Sequence, residues 1–309
     1  MNKPRANILV IKLGALGDFV QALGPMAAIR KHHPADRIAL LTTKPFESLA
    51  RSSRYFDEII LDKRPKWHDV LGWLALRKRL NTGKFSRVYD LQNNDRTSFY
   101  LKLFSPKPEW VGAAAGASHR NASPLRTEGK AFDGHVQTLT LAGISGVAVD
   151  DLSWIETSQD FSGIPKPYVL LVVGASPKHP EKRWPHYAAF SALLAQKKIT
   201  PVIVGGPDEK DIAEKIAAQV PSAIDLAGET SLADLPHLAR HALGCVGNDT
   251  GPMHFIAPAG CPSVVLFSGK SNPARHAPLG DRVTTLQKSD LKDLTPEEVW
   301  AAFAAQPLL

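Results

Sequence analysis

The sequence has few cysteines and no long apolar run. These two features argue against a disulfide-rich secreted protein and against a membrane-spanning one. Only Cys245 and Cys261 occur among 309 residues, and both lie in apolar strand or turn contexts. This favours buried free thiols in a reducing cytoplasm. No segment approaches the roughly 20 apolar residues needed to cross a bilayer. The first residues lead into a strand-like segment without a secretory signal, so a cytoplasmic protein is expected.

Two kinds of site are also missing. The cysteines and histidines show no spacing typical of a metal site, so no metal ligand is predicted. The turn Gly14-x-x-Gly17 lacks the complete glycine pattern of the dinucleotide fingerprint. Leu41-Thr42-Thr43 stands where an acidic residue would end the next strand of such a site. A nicotinamide enzyme is therefore not expected, and no cofactor is predicted.

The composition is that of a globular protein with a basic balance. Hydrophobic residues make up 44% and charged residues 22%, and the length suffices for two domains. The formal net charge is +7 and the pI is near 9.3, which implies attraction to nucleic acid, anionic lipid or a phosphorylated substrate. Because no aromatic-interleaved basic face or nucleic-acid motif occurs, no nucleic-acid partner is predicted.

Apolar runs and helical periodicities alternate along both halves of the chain. This alternation predicts an α/β fold with parallel, helix-covered sheets. The predicted strands are 8–13, 37–42, 58–61, 87–91, 110–113, 168–173, 201–204, 243–246, 263–267 and 282–286. The predicted helices are 19–31, 45–51, 67–80, 96–104, 133–142, 185–196, 207–219, 232–239 and 296–304. The glycine and prolines of 160–167 suit a linker between two domains that face a central cleft.

The stretch 243–269 reads as strand, tight turn, short helix, turn and strand. Asp249 or Thr250 is expected to be the helix N-cap, with Pro252 in the first turn. Since ligands of open α/β sheets lie at the carboxyl ends of strands, unpaired N–H groups there favour an anion such as a diphosphate. Gly251 would let that anion approach the backbone. A capped crossover helix with nothing bound explains the same residues equally well.

Asp18 ends the glycine turn after the first strand, where a helix starts. It is either a carboxylate that caps or complements that helix, or a general base that accepts the proton of an attacking hydroxyl. In the second half, Gly174-Ala175-Ser176 precedes Lys178, His179, Lys182 and Arg183, which suits a diphosphate or an ordinary exposed basic loop. Glu209 follows a further glycine turn and either holds ribose hydroxyls or lies on a solvated helix.

These motifs together resemble the lipopolysaccharide heptosyltransferase family, glycosyltransferase family 9. The resemblance covers nearly the whole chain, and its last motif is the most specific. The motifs are Gly14-Ala15-Leu16-Gly17-Asp18, the stretch from Asp90 to Ser98, Lys182-Arg183-Trp184-Pro185, Gly205-Gly206-Pro207-Asp208-Glu209 and the stretch from Gly247 to His254.

The resemblance implies the GT-B architecture of two Rossmann-like domains. The expected parts are an acceptor domain over 1–160, a nucleotide-sugar domain over 161–294, and a C-terminal helix over 295–309 that packs back on the first domain. Family members are typically inverting and metal-independent. In the best-known cases they move heptose from ADP-heptose to a lipopolysaccharide core.

The resemblance also implies roles for individual residues. Asp18 matches the catalytic base, and Gly17 and Arg120 are expected on the acceptor side, although Arg120 suits an ordinary surface arginine equally well. The expected donor contacts are Ser176, Lys182, Glu209, Asp249, Thr250, Gly251 and His254.

Two other functions remain open at this point. One is a GT-B sugar-nucleotide epimerase or hydrolase, and the other is a non-catalytic nucleotide-sugar binding protein. The basic balance also fits peripheral contact with an anionic membrane, at the inner face of the inner membrane, where a phosphorylated glycolipid acceptor would lie.

Overall fold

The chain forms two α/β units, each built on its own six-stranded parallel sheet. The computed structural model describes residues 5–176 and 178–306, and backbone contacts divide the chain between Asp150 and Asp151. In both sheets the neighbouring strands all run parallel. The predicted α/β class with two parallel sheets is therefore confirmed.

The first unit has the strand order β3-β2-β1-β4-β5-β6. Its strands are β1 (Asn7–Ile11), β2 (Arg37–Thr42), β3 (Glu58–Leu61), β4 (Arg87–Asp90), β5 (Glu109–Gly112) and β6 (His119–Arg120). Its helices are α1 (Leu16–Gln21), α2 (Leu23–His32), α3 (Glu47–Ser52), α4 (Val70–Thr82), α5 (Asp95–Tyr100) and α6 (Ala131–Thr140). The direction of strand succession reverses between β1 and β4, which opens a crevice at their carboxyl ends.

The second unit repeats this plan with the order β12-β11-β10-β7-β8-β9. Its strands are β7 (Tyr168–Val172), β8 (Thr200–Val204), β9 (Ile224–Asp225), β10 (Gly244–Asn248), β11 (Ser263–Ser268) and β12 (Val283–Lys288). Its helices are α7 (Tyr187–Gln196), α8 (Lys210–Gln219), α9 (Leu235–His241), α10 (Met253–Ile256), α11 (Pro273–His276) and α12 (Pro296–Ala304). Here the reversal falls between β7 and β10.

The central strands are buried on both faces, as their continuous apolar runs require. Ile8 to Ile11 in β1 and Tyr168 to Val172 in β7 are almost completely shielded from solvent. Cys245 and Cys261 are buried and free, and burial raises the pKa of the Cys261 thiol to about 12. Within the described residues, no helix is long and apolar enough to cross a membrane.

All ten predicted strands are present, with ends shifted by a few residues, but the edge strands β6 and β9 were not predicted. Each has only two residues, too few to give a recognisable hydrophobic pattern. The single helix predicted over 19–31 is divided into α1 and α2. Pro25 explains the division, because it has no N–H to donate to the carbonyl of Gln21.

The segment after Asp150 makes its described contacts with the second unit. Leu152, Ile155 and Ile164 are buried, and Gln159 Nε2 donates to the Glu229 carbonyl at 2.9 Å. By these contacts the segment belongs to the second unit, and the domain boundary expected after residue 160 stays a prediction.

The C-terminal helix α12 starts as its sequence predicts. Thr295 and Glu298 form the expected capping box, with Thr295 N donating to Glu298 Oε2 at 2.8 Å. Val299 and Phe303 are buried in the core of the second unit. The expected packing of 295–309 on the first domain stays a prediction, and residues 307–309 lie outside the described residues.

We expect Phe303→Ala to lower the free energy of unfolding by about 3–5 kcal/mol, the usual cost of removing a buried aromatic ring. Phe303 is fully buried, and its ring lies where a Cβ on Gly244 would clash with it. Urea unfolding followed by circular dichroism measures the change. The matched control is Ala304→Ser on the exposed side of α12, which should change stability by less than about 0.5 kcal/mol.

Candidate functional site

The site in the second unit is organised by the buried amide of Asn248, the last residue of β10. Asn248 Nδ2 donates to the carbonyls of Val173 at 3.1 Å and Gly174 at 2.9 Å. Its Oδ1 accepts from Trp184 N at 3.0 Å. One side chain therefore joins the ends of β7 and β10 to the loop that carries Lys182.

Lys182 and Asp249 form an ion pair at this edge of the sheet. Lys182 Nζ donates to Asp249 Oδ2 at 2.7 Å, and Ser271 Oγ donates to the same oxygen at 2.6 Å. Both charged side chains are largely shielded from solvent. The carboxylate thus fixes the position of the ammonium group beside the Thr250-Gly251 turn.

The Thr250-Gly251 turn presents free backbone donors. Within the described ranges, the N–H groups of Thr250 and Gly251 donate to no other group. The following amides are occupied, since Met253 N donates to the Thr250 carbonyl at 3.2 Å and His254 N to the Gly251 carbonyl at 3.0 Å. His254 itself is buried in α10. An anion at this turn would meet two amides and the Lys182 ammonium group.

The predicted N-cap of this helix was wrong. The structure gives Pro252 as the N-cap of α10, with no side-chain capping bond. The Asp249 carboxylate is engaged by Lys182 and Ser271 instead. The carboxylate is used by partners that lie far from it in sequence, so tertiary contact overrides the local capping signal.

Glu209 lies in the helical turn that follows β8, and glycines surround its side chain. Gly206 N donates to Glu209 Oε2 at 2.8 Å, and Arg183 is 3.8 Å from Oε1. A Cβ on Gly174 or Gly205 would lie within 3.0 Å or 2.8 Å of the Glu209 side chain. One carboxylate oxygen is thus used to cap its own turn, and the other faces Arg183.

A small cavity adjoins this turn, and Ser176 lies apart from the ion pair. The cavity has a volume of about 140 Å³ and is lined by Val204, Gly205, Gly206, Thr230, Ser231, Leu232, Leu235 and Pro252. Ser176 is exposed, and its carbonyl accepts from His179 N at 2.8 Å. No hydrogen bond between described residues joins the Ser176 side chain to Lys182 or Asp249.

In the first unit, Asp18 lies in the first turn of α1, at the carboxyl end of β1. Ala15 is the N-cap of this helix, so Asp18 does not cap it. Asp18 is half-buried, and its carboxylate forms no hydrogen bond with any other described group. Gly17 immediately precedes it in the same turn. A carboxylate that no other group occupies is suited to accept a proton from a bound molecule.

Buried titratable groups that the sequence analysis did not select lie in the same crevice. Lys12 is buried, and its Nζ donates to the Leu91 carbonyl at 3.1 Å. Burial lowers the pKa of Lys12 to about 8, against the opposing attraction of Asp18 and Asp90. Burial also holds the pKa of His135 well below its ordinary value. The available signal was Lys12 itself, the one polar residue within the apolar run 8–13.

Asp90 completes this set at the end of β4. Its Oδ1 accepts from Gln92 N at 3.0 Å and from Asn93 N at 2.9 Å. Burial nevertheless raises the pKa of Asp90 to about 6. The crevice therefore contains both a carboxyl group and an amine whose pKa values are displaced toward neutrality.

Arg120 lies on the edge strand β6 and is exposed. Its neighbour His119 has Nε2 3.0 Å from Glu109 Oε1. No described contact joins Arg120 to Gly17 or Asp18. The described residues also contain no group of three or more histidine, cysteine or acidic side chains arranged to hold a metal ion.

Comparison with known proteins gives a consistent result. The sequence profile of glycosyltransferase family 9 (heptosyltransferase) matches residues 134–298. The chain is 30% identical to lipooligosaccharide heptosyltransferase 2 of Haemophilus ducreyi, across 92% of this chain and 89% of that protein. It is 25% identical to the lipopolysaccharide core heptosyltransferase OpsX of Haemophilus influenzae, across 88% and 81%.

A solved structure shows the same fold. The Escherichia coli ADP-heptose lipopolysaccharide heptosyltransferase II superposes with a TM-score of 0.70 at 20% identity, covering 97% of this chain and 98% of that one. This likeness confirms the predicted GT-B fold class.

The raised pKa of Asp90 predicts a pH-dependent stability difference from Asp90→Asn. The folded chain holds the proton more tightly than the unfolded chain between the ordinary pKa of 3.8 and about 6. Wild-type stability relative to Asp90→Asn should therefore fall as the pH rises through this window, by up to about 3 kcal/mol. Urea unfolding at pH 4, 5, 6 and 7 measures it, and a constant difference across these values would contradict the raised pKa.

Proposed function

The chain belongs to glycosyltransferase family 9, and on that premise we propose that it transfers heptose from ADP-heptose to a lipopolysaccharide core or related glycan. The named activities of the two Haemophilus proteins and of the Escherichia coli enzyme support the sugar and the acceptor class. The proposed reaction inverts the anomeric centre and uses no metal ion.

The observation that carries this proposal is the Lys182–Asp249 pair beside the amides of Thr250 and Gly251, which donate to no other described group. A departing diphosphate develops negative charge as its bond to the sugar breaks. Preorganised donors aimed at that charge stabilise the transition state without reorganising. Lys182, held by Asp249, supplies a positive charge, and the two amides supply hydrogen bonds. Together they are suited to the part that a metal ion plays in other transferases.

Asp18 is the proposed base. Its carboxylate removes the proton of the acceptor hydroxyl as that oxygen attacks the anomeric carbon, and the nucleoside diphosphate leaves from the opposite face. The acceptor oxygen forms the new bond to the anomeric carbon, and the bond from that carbon to the diphosphate breaks. Asp18 gains the proton, and the diphosphate leaves with the electron pair of the broken bond. Gly17 and Arg120 are proposed to contact the acceptor.

The remaining donor contacts follow from the second unit. The cavity beside Gly205 and Gly206 is proposed to take the nucleoside, with Glu209 near the ribose. Ser176 and His254 are proposed as further donor contacts. Because the two halves of the machinery lie in different units of the chain, activity is proposed to need both units to engage the same donor and acceptor.

Two alternative functions are separable by one measurement. An epimerase or hydrolase would consume the donor without an acceptor, and a silent binding protein would not consume it at all. Donor consumption assayed with and without a lipopolysaccharide-core acceptor distinguishes the three. The proposed transferase requires consumption that depends on the acceptor, and its rate should not change on addition of EDTA.

Asp18→Asn should reduce transfer by about 10²–10⁴-fold, the range that a positioned general base supplies. The change keeps the size of the side chain but removes its ability to take a proton. Donor binding should persist, so the rise in melting temperature produced by ADP should match that of the wild type. Transfer at the wild-type rate would exclude Asp18 as the base.

Lys182→Ala should lower the transfer rate by about 10²–10³-fold, because the leaving diphosphate loses its positive partner. It should also weaken the thermal stabilisation by ADP, which in the wild type is expected to exceed that by UDP or GDP. Lys178→Ala is the matched control, since Lys178 is an exposed lysine of the same loop. Equal losses in the two variants would show that only the general charge of the loop matters.

A further inference from the structure

The first unit has an unusual exposed apolar surface, formed by α4 and by a tryptophan that precedes this helix. Trp67 is 72% exposed, Val70 65%, Leu71 79% and Leu74 55%. Single exposed apolar residues are ordinary, but a contiguous set on one element indicates an interaction site. We call these four residues the α4 surface.

The α4 surface is held in place from beneath. Leu76 and Leu80 on the opposite side of α4 are buried in the core, so the helix cannot rotate to hide its outer side chains. The Trp67 ring stacks on Trp73 with centroids 5.6 Å apart, and Trp73 Nε1 donates to the Lys66 carbonyl at 2.9 Å. Trp67 is therefore fixed and exposed at once, and no core requirement explains its exposure.

Exposed cations border the α4 surface at both ends. Lys63, Arg64 and Lys66 precede it, and Arg77 and Lys78 follow it, all exposed. No ion pair within the described ranges joins any of these five side chains to a carboxylate. Their charge is thus available to an anionic partner.

A cation-lined groove continues from the same helix. It has a volume of about 520 Å³ and is lined by Arg37, Glu58, Ile60, Ala75, Lys78, Arg79, Thr82 and Gly83. Glu58 pairs with both Arg37 and Arg79, so the three cations outweigh the single carboxylate. A phosphate-sized anion would meet excess positive charge along the C-terminal part of α4.

We propose that the α4 surface docks this protein onto an anionic lipid bilayer. Trp67, Val70, Leu71 and Leu74 enter the interface between headgroups and acyl chains, while the bordering cations contact lipid phosphates. A helix with apolar side chains next to lysine and arginine is typical of such binding. Each cation near the surface adds attraction to anionic lipid.

Charge favours a bilayer over a second copy of the chain. A two-fold contact through the α4 surface would bring the same cations of both copies together, whereas anionic headgroups neutralise them. The inference goes beyond sugar transfer and is independent of the donor and of Asp18.

Vesicle flotation with the full-length protein tests the proposal. The probes are vesicles of phosphatidylcholine alone and vesicles with about 30% phosphatidylglycerol, since anionic lipid attracts a basic surface. The wild type should float with the anionic vesicles. Leu74→Glu should bind them at least about 10-fold more weakly, because a charge replaces an apolar side chain that enters the bilayer interface. Leu141→Glu is the matched control, an exposed leucine of the same unit with the same charge change, and it should lose less than about 2-fold, since it is outside the α4 surface.

Three results would overturn the proposal. One is a wild type that does not float with anionic vesicles at low ionic strength. Another is an equal loss in Leu74→Glu and Leu141→Glu, which would mean that net charge alone drives binding. The third is a wild-type dimer in analytical ultracentrifugation that Leu74→Glu dissociates, with no vesicle binding, which would assign the surface to self-association.

Depth-dependent quenching gives a second test that does not depend on a charged substitution. Vesicles with brominated acyl chains quench tryptophans that enter the bilayer interface. The wild type should be quenched, and Trp67→Phe, which keeps an aromatic ring, should lose most of that quenching. Unchanged quenching in Trp67→Phe would contradict insertion of the α4 surface. An ADP-induced thermal shift in every variant shows that folding and donor binding are intact, which keeps this test separate from the proposed activity.

Discussion

The candidate site of the second unit depends on the buried amide of Asn248. A buried polar side chain is costly unless it is hydrogen-bonded, and Asn248 meets this constraint by bonding the ends of two strands and the Trp184 amide. Trp184 is itself locked by a hydrogen bond from Nε1 to the Leu294 carbonyl at 2.8 Å. The loop from Lys182 to Trp184 is thereby fixed to the sheet, and this allows the ammonium group of Lys182 to meet Asp249. A fully buried residue thus determines where the charges of Lys182 and Asp249 lie.

The two units use one topology for two kinds of electrostatics. In the second unit a paired lysine and carboxylate lie at the reversal between β7 and β10, together with two amides that have no hydrogen-bond partner among the described residues. In the first unit, Lys12 and Asp90 lie at the reversal between β1 and β4. Burial shifts the pKa of each toward neutral pH, which favours its uncharged form. A site for a diphosphate needs fixed positive charge, whereas a site for proton transfer needs groups whose pKa values lie near neutral pH. The shared strand order does not specify this difference, which comes from a few side chains at the strand ends.

The sequence predicted the strands well because parallel strands buried on both faces are continuous apolar runs. It could not predict β6 or β9, which are two-residue pairings at sheet edges. Asp18, Lys182, Glu209 and Asp249 were selected from turns and motifs, but their contacts were not predictable. The partners Lys182 and Asp249 are separated by 67 residues, and local capping preference gave Asp249 a different role. The α4 surface could not be predicted from the sequence either. Apolar residues occur on both sides of this helix, so the periodicity does not show which side faces solvent.

The displaced pKa values of Lys12 and Asp90 have a consequence for ligand binding in the first unit. Their values of about 8 and about 6 lie on either side of neutral pH. The net charge of the crevice therefore changes over the physiological pH range. A negatively charged group that enters the crevice raises both pKa values, and the protein then takes up protons as it binds. Binding and protonation are linked equilibria there, and the heat of binding measured by calorimetry includes the ionisation enthalpy of the buffer that supplies those protons.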